Sequence, residues 1–191
     1  MFKSLREFSQ TVVTAAVIFI ILQLVTQTFR VVGPSMEPVL TDGHHVLVNK
    51  LAYIDVTNDR LVQFLPWVTV ANEVEKEYVF RGPESGDVIV FRPPDGSTAD
   101  FVKRVIGIPG DVIDIRDGNV YVNGKKREDD PRTLRQGGID YPTKVPNGHF
   151  FVLGDNRGQS HDSRAWSYVQ ADDIVGRVFF RYWPPIDLKL F

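Results

Sequence analysis

No charged side chain interrupts residues 9–29. The densest part, residues 12–25, reads Val-Val-Thr-Ala-Ala-Val-Ile-Phe-Ile-Ile-Leu-Gln-Leu-Val. Wound as a helix, the run spans about 31 Å, the hydrocarbon thickness of a bilayer. Thr11, Thr14, Gln23 and Thr26 dilute it, and such groups are tolerated where they bond along the helix or meet a partner. Lys3 and Arg6 precede the run and Arg30 follows it, a modest bias that keeps the N-terminus cytoplasmic. Two alternatives stand beside a membrane anchor. A cleaved leader needs small residues before its cut, and this run ends in the bulky Gln27-Thr28-Phe29-Arg30-Val31-Val32. A buried helix of a soluble domain is the other, and an uncharged stretch of this length so early in the chain favours the anchor. The expectation is a cytoplasmic N-terminus and transmembrane anchor at 1–30, with an extracytoplasmic domain at 31–191. Membrane lipid is then a partner. Ser35, six residues beyond Phe29, can stand no more than about 20 Å from the end of the run.

Setting the run aside leaves about 160 residues, the size of one domain with a real core. Its near-balanced charge, 22 basic against 24 acidic side chains, offers no footprint for nucleic acid. Without cysteine there are no disulfides, thiol nucleophiles or thiolate metal sites. His44 and His45 are neighbours and would face opposite ways in a strand, while His149 and His161 stand apart. No metal and no cofactor is expected.

The pattern after the run is that of strands and turns. Residues 45–49, 88–91, 101–108, 112–115, 119–122, 150–153 and 174–183 read as strands. Asp117-Gly118 and Asn123-Gly124 are hairpin turns, and Pro184-Pro185 stops the last strand. Residues 123–147 are polar, with Pro and Gly, and read as an exposed excursion. Residues 55–84 carry an apolar patch at 61–68, either a hairpin over the core or a flap with Phe64 and Trp67 against lipid. The fold class is all-β, mainly antiparallel and barrel-like, behind one N-terminal transmembrane helix.

Chemistry has two natural seats. Ser35 lies in Gly33-Pro34-Ser35-Met36-Glu37-Pro38, where both prolines disfavour helix and ladder and so hold the serine in a turn. The plain alternative is a linker serine. Lys103 and Arg104 occupy opposite faces of a strand that is otherwise apolar on both sides. A lysine there either snorkels out or loses its proton to burial, and a neutral lysine can activate a serine hydroxyl. Arg104 stays charged and needs a carboxylate. The loop at 154–164 supplies Asp155 and Asp162. It also holds His161, so a Ser/His/Asp triad is a rival arrangement. An anchored β domain that binds other proteins without cutting them is the other alternative, and it leaves Lys103 without a purpose.

Four segments in order, residues 33–40, 86–91, 103–111 and 154–164, resemble the successive motifs of bacterial type I signal peptidases, and the preceding apolar run resembles their anchor. The likeness runs to about residue 176. It implies a membrane-bound serine endopeptidase with a serine–lysine dyad, a plasma membrane or a thylakoid-type membrane as its place, and as substrates preprotein signal peptides delivered by the export machinery and cut after a small-x-small pattern. By position, Ser35 resembles the nucleophile and Lys103 the general base. Ser160 resembles the serine that orients the lysine, Asp162 and Arg164 a supporting ion pair, and Asp155 the partner of Arg104. Val31, Val32, Met36, Leu40, Phe101 and Val102 resemble the lining of the substrate pockets, whose edges take the peptide as an added strand. Some members have an oxyanion-donating serine two positions before the nucleophile, where this chain has Gly33.

Overall fold

The computed structural model describes residues 2–53, 78, 81–127, 131, 133–134 and 139–191, with side chains from residue 6 onward. Helix α1, Phe2–Val25, opens the chain. It leads directly into β1, Thr26–Arg30, which pairs antiparallel with β2, His45–Asn49. The uncharged run therefore divides: its helix ends at Val25, four residues short of Phe29. Thr-Gln-Thr-Phe-Arg suits an edge strand because β-branched and aromatic residues fit a pleated surface, and β2 satisfies its backbone in register from Thr26↔Asn49 to Arg30↔His45. From Arg6 to Val25, α1 is still long and apolar enough to cross a membrane.

The remaining strands among the described residues are β3 (Val88–Phe91), β4 (Phe101–Gly107), β5 (Val112–Arg116), β6 (Asn119–Val122), β7 (Lys125–Lys126), β8 (Thr143–Lys144), β9 (His149–Leu153), β10 (Val169–Gln170), β11 (Ile174–Trp183) and β12 (Lys189–Leu190). A short helix α2, Ser163–Trp166, precedes β10. The main sheet runs β1-β2-β11-β3-β4-β9-β10, with β12 returning onto β11. A smaller sheet, β7-β6-β5-β8, stands beside it. Among the described residues every pairing is antiparallel. The molecule is thus mostly β, a curled antiparallel sheet behind one apolar helix, as its residue pattern predicts.

Asp117 and Gly118 turn between β5 and β6 with φ of 52° and 78°, the positive pair a two-residue hairpin turn requires. The excursion at 123–147 is not wholly apart from the sheets, since β7 and β8 come from it. The apolar patch expected within residues 55–84 lies outside the described residues. The flanking Tyr53 and Arg81 converge on Asp87: Tyr53 Oη donates at 2.8 Å and Arg81 Nη2 at 3.0 Å. Burial and the Asp87 charge push the Tyr53 phenol up.

Among the described residues the interior divides into three apolar clusters. One, with Val31, Met36, Leu40, Val46, Val48 and Val178, backs the chain around Ser35. Central strand β4 is buried along its second half. It is held between β3, in register Ile89↔Lys103, and β9, in register Arg104↔Leu153.

Candidate active site

Strand alternation sends Lys103 and Arg104 to opposite faces of β4. Lys103 is 4% exposed. Its Nζ donates to Ser35 Oγ at 2.8 Å and to Val102 O at 3.0 Å, and lies 5.3 Å from the centre of the Phe101 ring. Burial lowers its pKa to about 8, against the opposing pull of Asp162 and Asp155. Arg104 instead forks onto Asp155, Nε to Oδ1 at 2.8 Å and Nη2 to Oδ2 at 2.7 Å, and donates to Gly86 O at 2.8 Å. The two neighbouring cations therefore meet different fates: one is desolvated beside a hydroxyl, the other neutralised by a carboxylate.

Ser35 sits on a tight turn, with Glu37 N donating to Pro34 O and Leu40 N to Met36 O. Met36 and Leu40 are fully buried beneath it and anchor it to the core. From the other side, Asn156 N donates to Ser35 O at 3.0 Å. Gly154 makes the closest approach. A Cβ there would lie 2.2 Å from Ser160 Oγ and 2.4 Å from Ser35 O, closer than such atoms can stand.

The loop that presents Gly154 is built on buried charge. Asp162, wholly buried, caps α2 and accepts from Gly154 N at 3.0 Å. Arg164, 1% exposed, donates to both Asp162 oxygens at 2.8 and 2.9 Å and to the carbonyls of Arg157 and Ser160. Arg157, also buried, donates to Gly154 O at 2.8 Å and to Thr133 Oγ1. Ser160 is buried in the same corner, beside Gly154. Arg157, Thr133 and Gly154 hold this corner together through contacts to which sequence reasoning gave no part. Arg157 stood in a loop already marked by charge, but nothing in its spacing pointed to Thr133.

Ser35 and Lys103 open into a cleft of about 580 Å³. Val31 and Val32 belong to one stretch of its lining, Phe101 and Val102 to another. Met36 and Leu40 are placed differently, in the core behind the Ser35 turn. His161 also lines the cleft, but its ring turns to Asp95, 3.4 Å away, and to the edge of Trp166. Such an arrangement offers a hydroxyl, a weakened cation beside it and an apolar trough with room for an extended chain.

A family model described as signal peptidase, peptidase S26, matches residues 5–183. The chain belongs to the signal peptidase family. It is an enzyme of the signal peptidase I type, by that match and by its curated relatives. "Probable signal peptidase I-2" of Synechocystis sp. is 36% identical over 188 residues, covering 93% of this chain and 73% of that protein. Signal peptidase IB of Staphylococcus aureus is 34% identical over 207 residues, covering 96% of this chain and 94% of that protein. A crystal structure of a signal peptidase I from Enterococcus faecalis V583 aligns at 29% identity with a TM-score of 0.44, over 51% of this chain and 97% of that one.

Proposed function

We propose that this signal peptidase is a membrane-bound serine endopeptidase that removes signal peptides from exported preproteins, with Ser35 as nucleophile and Lys103 as general base. The observation that carries the reading is the 2.8 Å contact between Ser35 Oγ and the nearly buried Lys103 Nζ. While Lys103 is charged it donates to the hydroxyl. Once neutral, with a pKa near 8, it accepts the hydroxyl proton as Ser35 attacks the scissile carbonyl. The ammonium so formed protonates the leaving amine. Water then hydrolyses the acyl-enzyme, Lys103 again serving as base. Ser35 N–H is the first donor for the oxyanion. Ser160 and the Asp162–Arg164 pair act as supports, and the Arg104–Asp155 pair braces the strand and loop on which the dyad rests. The signal-peptide end lies extended in the cleft, against Val31 and Val32 on one side and Phe101 and Val102 on the other.

Residues 1–25 serve as cytoplasmic N-terminus and anchor, and the β domain works on the extracytoplasmic face. That places Ser35 near the surface from which a membrane-inserted substrate emerges.

The test is cleavage of a detergent-solubilised preprotein by the full chain and by Ser35→Ala, with the product's new N-terminus read by mass spectrometry. A single cut after a small-x-small site, absent from the variant, is expected. Failure of the folded full chain to cut, or undiminished cutting by Ser35→Ala, would overturn the reading.

A further inference from the structure

The turn at residues 41–44 stands behind the wall of the cleft that leads to Ser35. Val31 is laddered to it twice: its N–H donates to His44 O at 2.8 Å, and Gly43 N–H donates to Val31 O at 3.0 Å. Gly33 N–H completes the row by donating to Asp42 Oδ1 at 3.0 Å. In an extended chain, successive residues turn their N–H and C=O groups to opposite sides. With Val31 and Gly33 both bonded to the turn, trans peptides direct the polar groups of Val32 away from it, and Val32 is one of the residues that line the cleft. Val32 is 78% exposed, and it is where an added strand would find its partner.

The turn has its own fastenings. Buried His44 takes the Thr41 N–H on Nδ1 at 3.1 Å, and its Nε2 lies 2.7 Å from Thr41 Oγ1. Arg181 Nη1 donates to Val39 O at 2.7 Å, two residues before the turn. The backbone under Asp42 is thus fixed, while Gly33 is not fixed by a side chain of its own. Gly33 holds φ of +85° with nothing within 4 Å of where a Cβ would be, a left-handed backbone that glycine adopts freely, so the Asp42 carboxylate is the side chain that fastens its amide.

We infer that Asp42 is a positioning residue for the cleavage reaction. Its carboxylate holds the Gly33 amide away from the cleft, which sets the Val31–Gly33 edge for substrate pairing and the approach of the chain through Pro34 to Ser35. The inference rests on the protease reading above. It also removes the Gly33 amide from the candidates for a second oxyanion donor.

The full chain in detergent, Asp42→Ala and Asp42→Asn are compared in peptide cleavage and in amide hydrogen exchange over residues 30–36. Asp42→Ala is expected to speed exchange at Gly33 and to lower kcat about ten-fold or more, since small misplacements of a nucleophile are costly. The pH at which its rate levels off stays where it is, because Lys103 is untouched. Asp42→Asn keeps the acceptor oxygen and restores both readouts. An alanine variant with unchanged exchange or unchanged kcat overturns the inference. So does a folded asparagine variant that remains impaired, which would make the charge and not the hydrogen bond responsible. If the folded full chain cuts nothing, the protease reading falls and this inference with it; cutting by the full chain with an unaffected alanine variant sinks only the role of Asp42.

Discussion

Burial holds Lys103 at a pKa of about 8 although Asp162 and Asp155 both pull it upward. The folded state therefore disfavours the ammonium relative to the unfolded chain, where the value is the ordinary 10.5. Below about pH 8 the lysine is charged in both states, and the full desolvation cost, on the order of 3 kcal/mol, is present. That cost shrinks as pH rises from about 8 to 10.5 and is gone above. In the proposed mechanism the same shift acts in the opposite sense, since a neutral Lys103 appears as pH rises through about 8. Two outcomes are expected. Cleavage by the full chain climbs with an apparent pKa near 8 in a kcat/KM profile. Lys103→Met abolishes cleavage yet raises stability at pH 7 by ~1–3 kcal/mol in urea unfolding. A lysine variant that is inactive and also less stable would mean that Lys103 holds the fold together and that the buried charge is not the issue. His161→Ala, by contrast, keeps kcat/KM within about three-fold, because the ring faces Asp95 and Trp166 and an exposed side chain of this kind contributes little. Collapse of activity in that variant would revive the triad.

The loop from Gly154 to α2 is the element that joins the two halves of the site. Its backbone is tied from within by the Asp162–Arg164 pair, at 0% and 1% side-chain exposure, and from outside by Asn156 N on Ser35 O. Arg164→Ala would leave the Asp162 charge buried without its fork, a loss of ~3–5 kcal/mol, read as a fall in Tm; a Tm within a degree or two would refute the structural role given to the pair. Gly154→Ala acts otherwise. The new methyl must displace Ser160 or the Ser35 carbonyl, so kcat is expected to fall ~100-fold in a protein that still unfolds cooperatively, and a normally active variant would show that the turn can yield. Much of this was legible in the chain, and part was not. The strands at 88–91, 150–153 and 174–183 announce themselves because local apolar and β-branched runs carry the signal. Residues 26–29 did not, because an uncharged Thr-Gln-Thr-Phe continues a helix as readily as it begins a strand, and only the β2 partner, some twenty residues on, decides. Arg157 meeting Thr133 is a contact between distant segments with no spacing rule behind it.

At the scale of the whole molecule, antiparallel pairing and one leading helix followed from turns and periodicity. The order β1-β2-β11-β3-β4-β9-β10 did not, because long crossovers leave no local mark and a strand's neighbours are chosen by the packing of all of them. That order has a consequence for where the apolar leading segment ends. Strand β1 is chemically continuous with α1 but belongs to the sheet: it pairs with β2 over all five residues, and Phe29 packs on the core cluster behind Ser35. Phe29 and Arg30 also line the cleft. Two truncations separate these roles. A chain beginning at Thr26 keeps the whole sheet, and is expected to unfold at the temperature of the full chain and to cleave a soluble peptide at a similar rate. It should also stop floating with lipid vesicles, since α1 is gone. A chain beginning at Val31 loses the edge strand, bares the ladder of β2 and removes part of the cleft wall. Its Tm should drop by ~5–10 °C, the shift that a loss of about 2–3 kcal/mol gives in a domain of this size, and its kcat/KM should fall at least ten-fold. Equal stability and activity in the two truncations would place the domain boundary at Val31 after all and make β1 a dispensable continuation of α1.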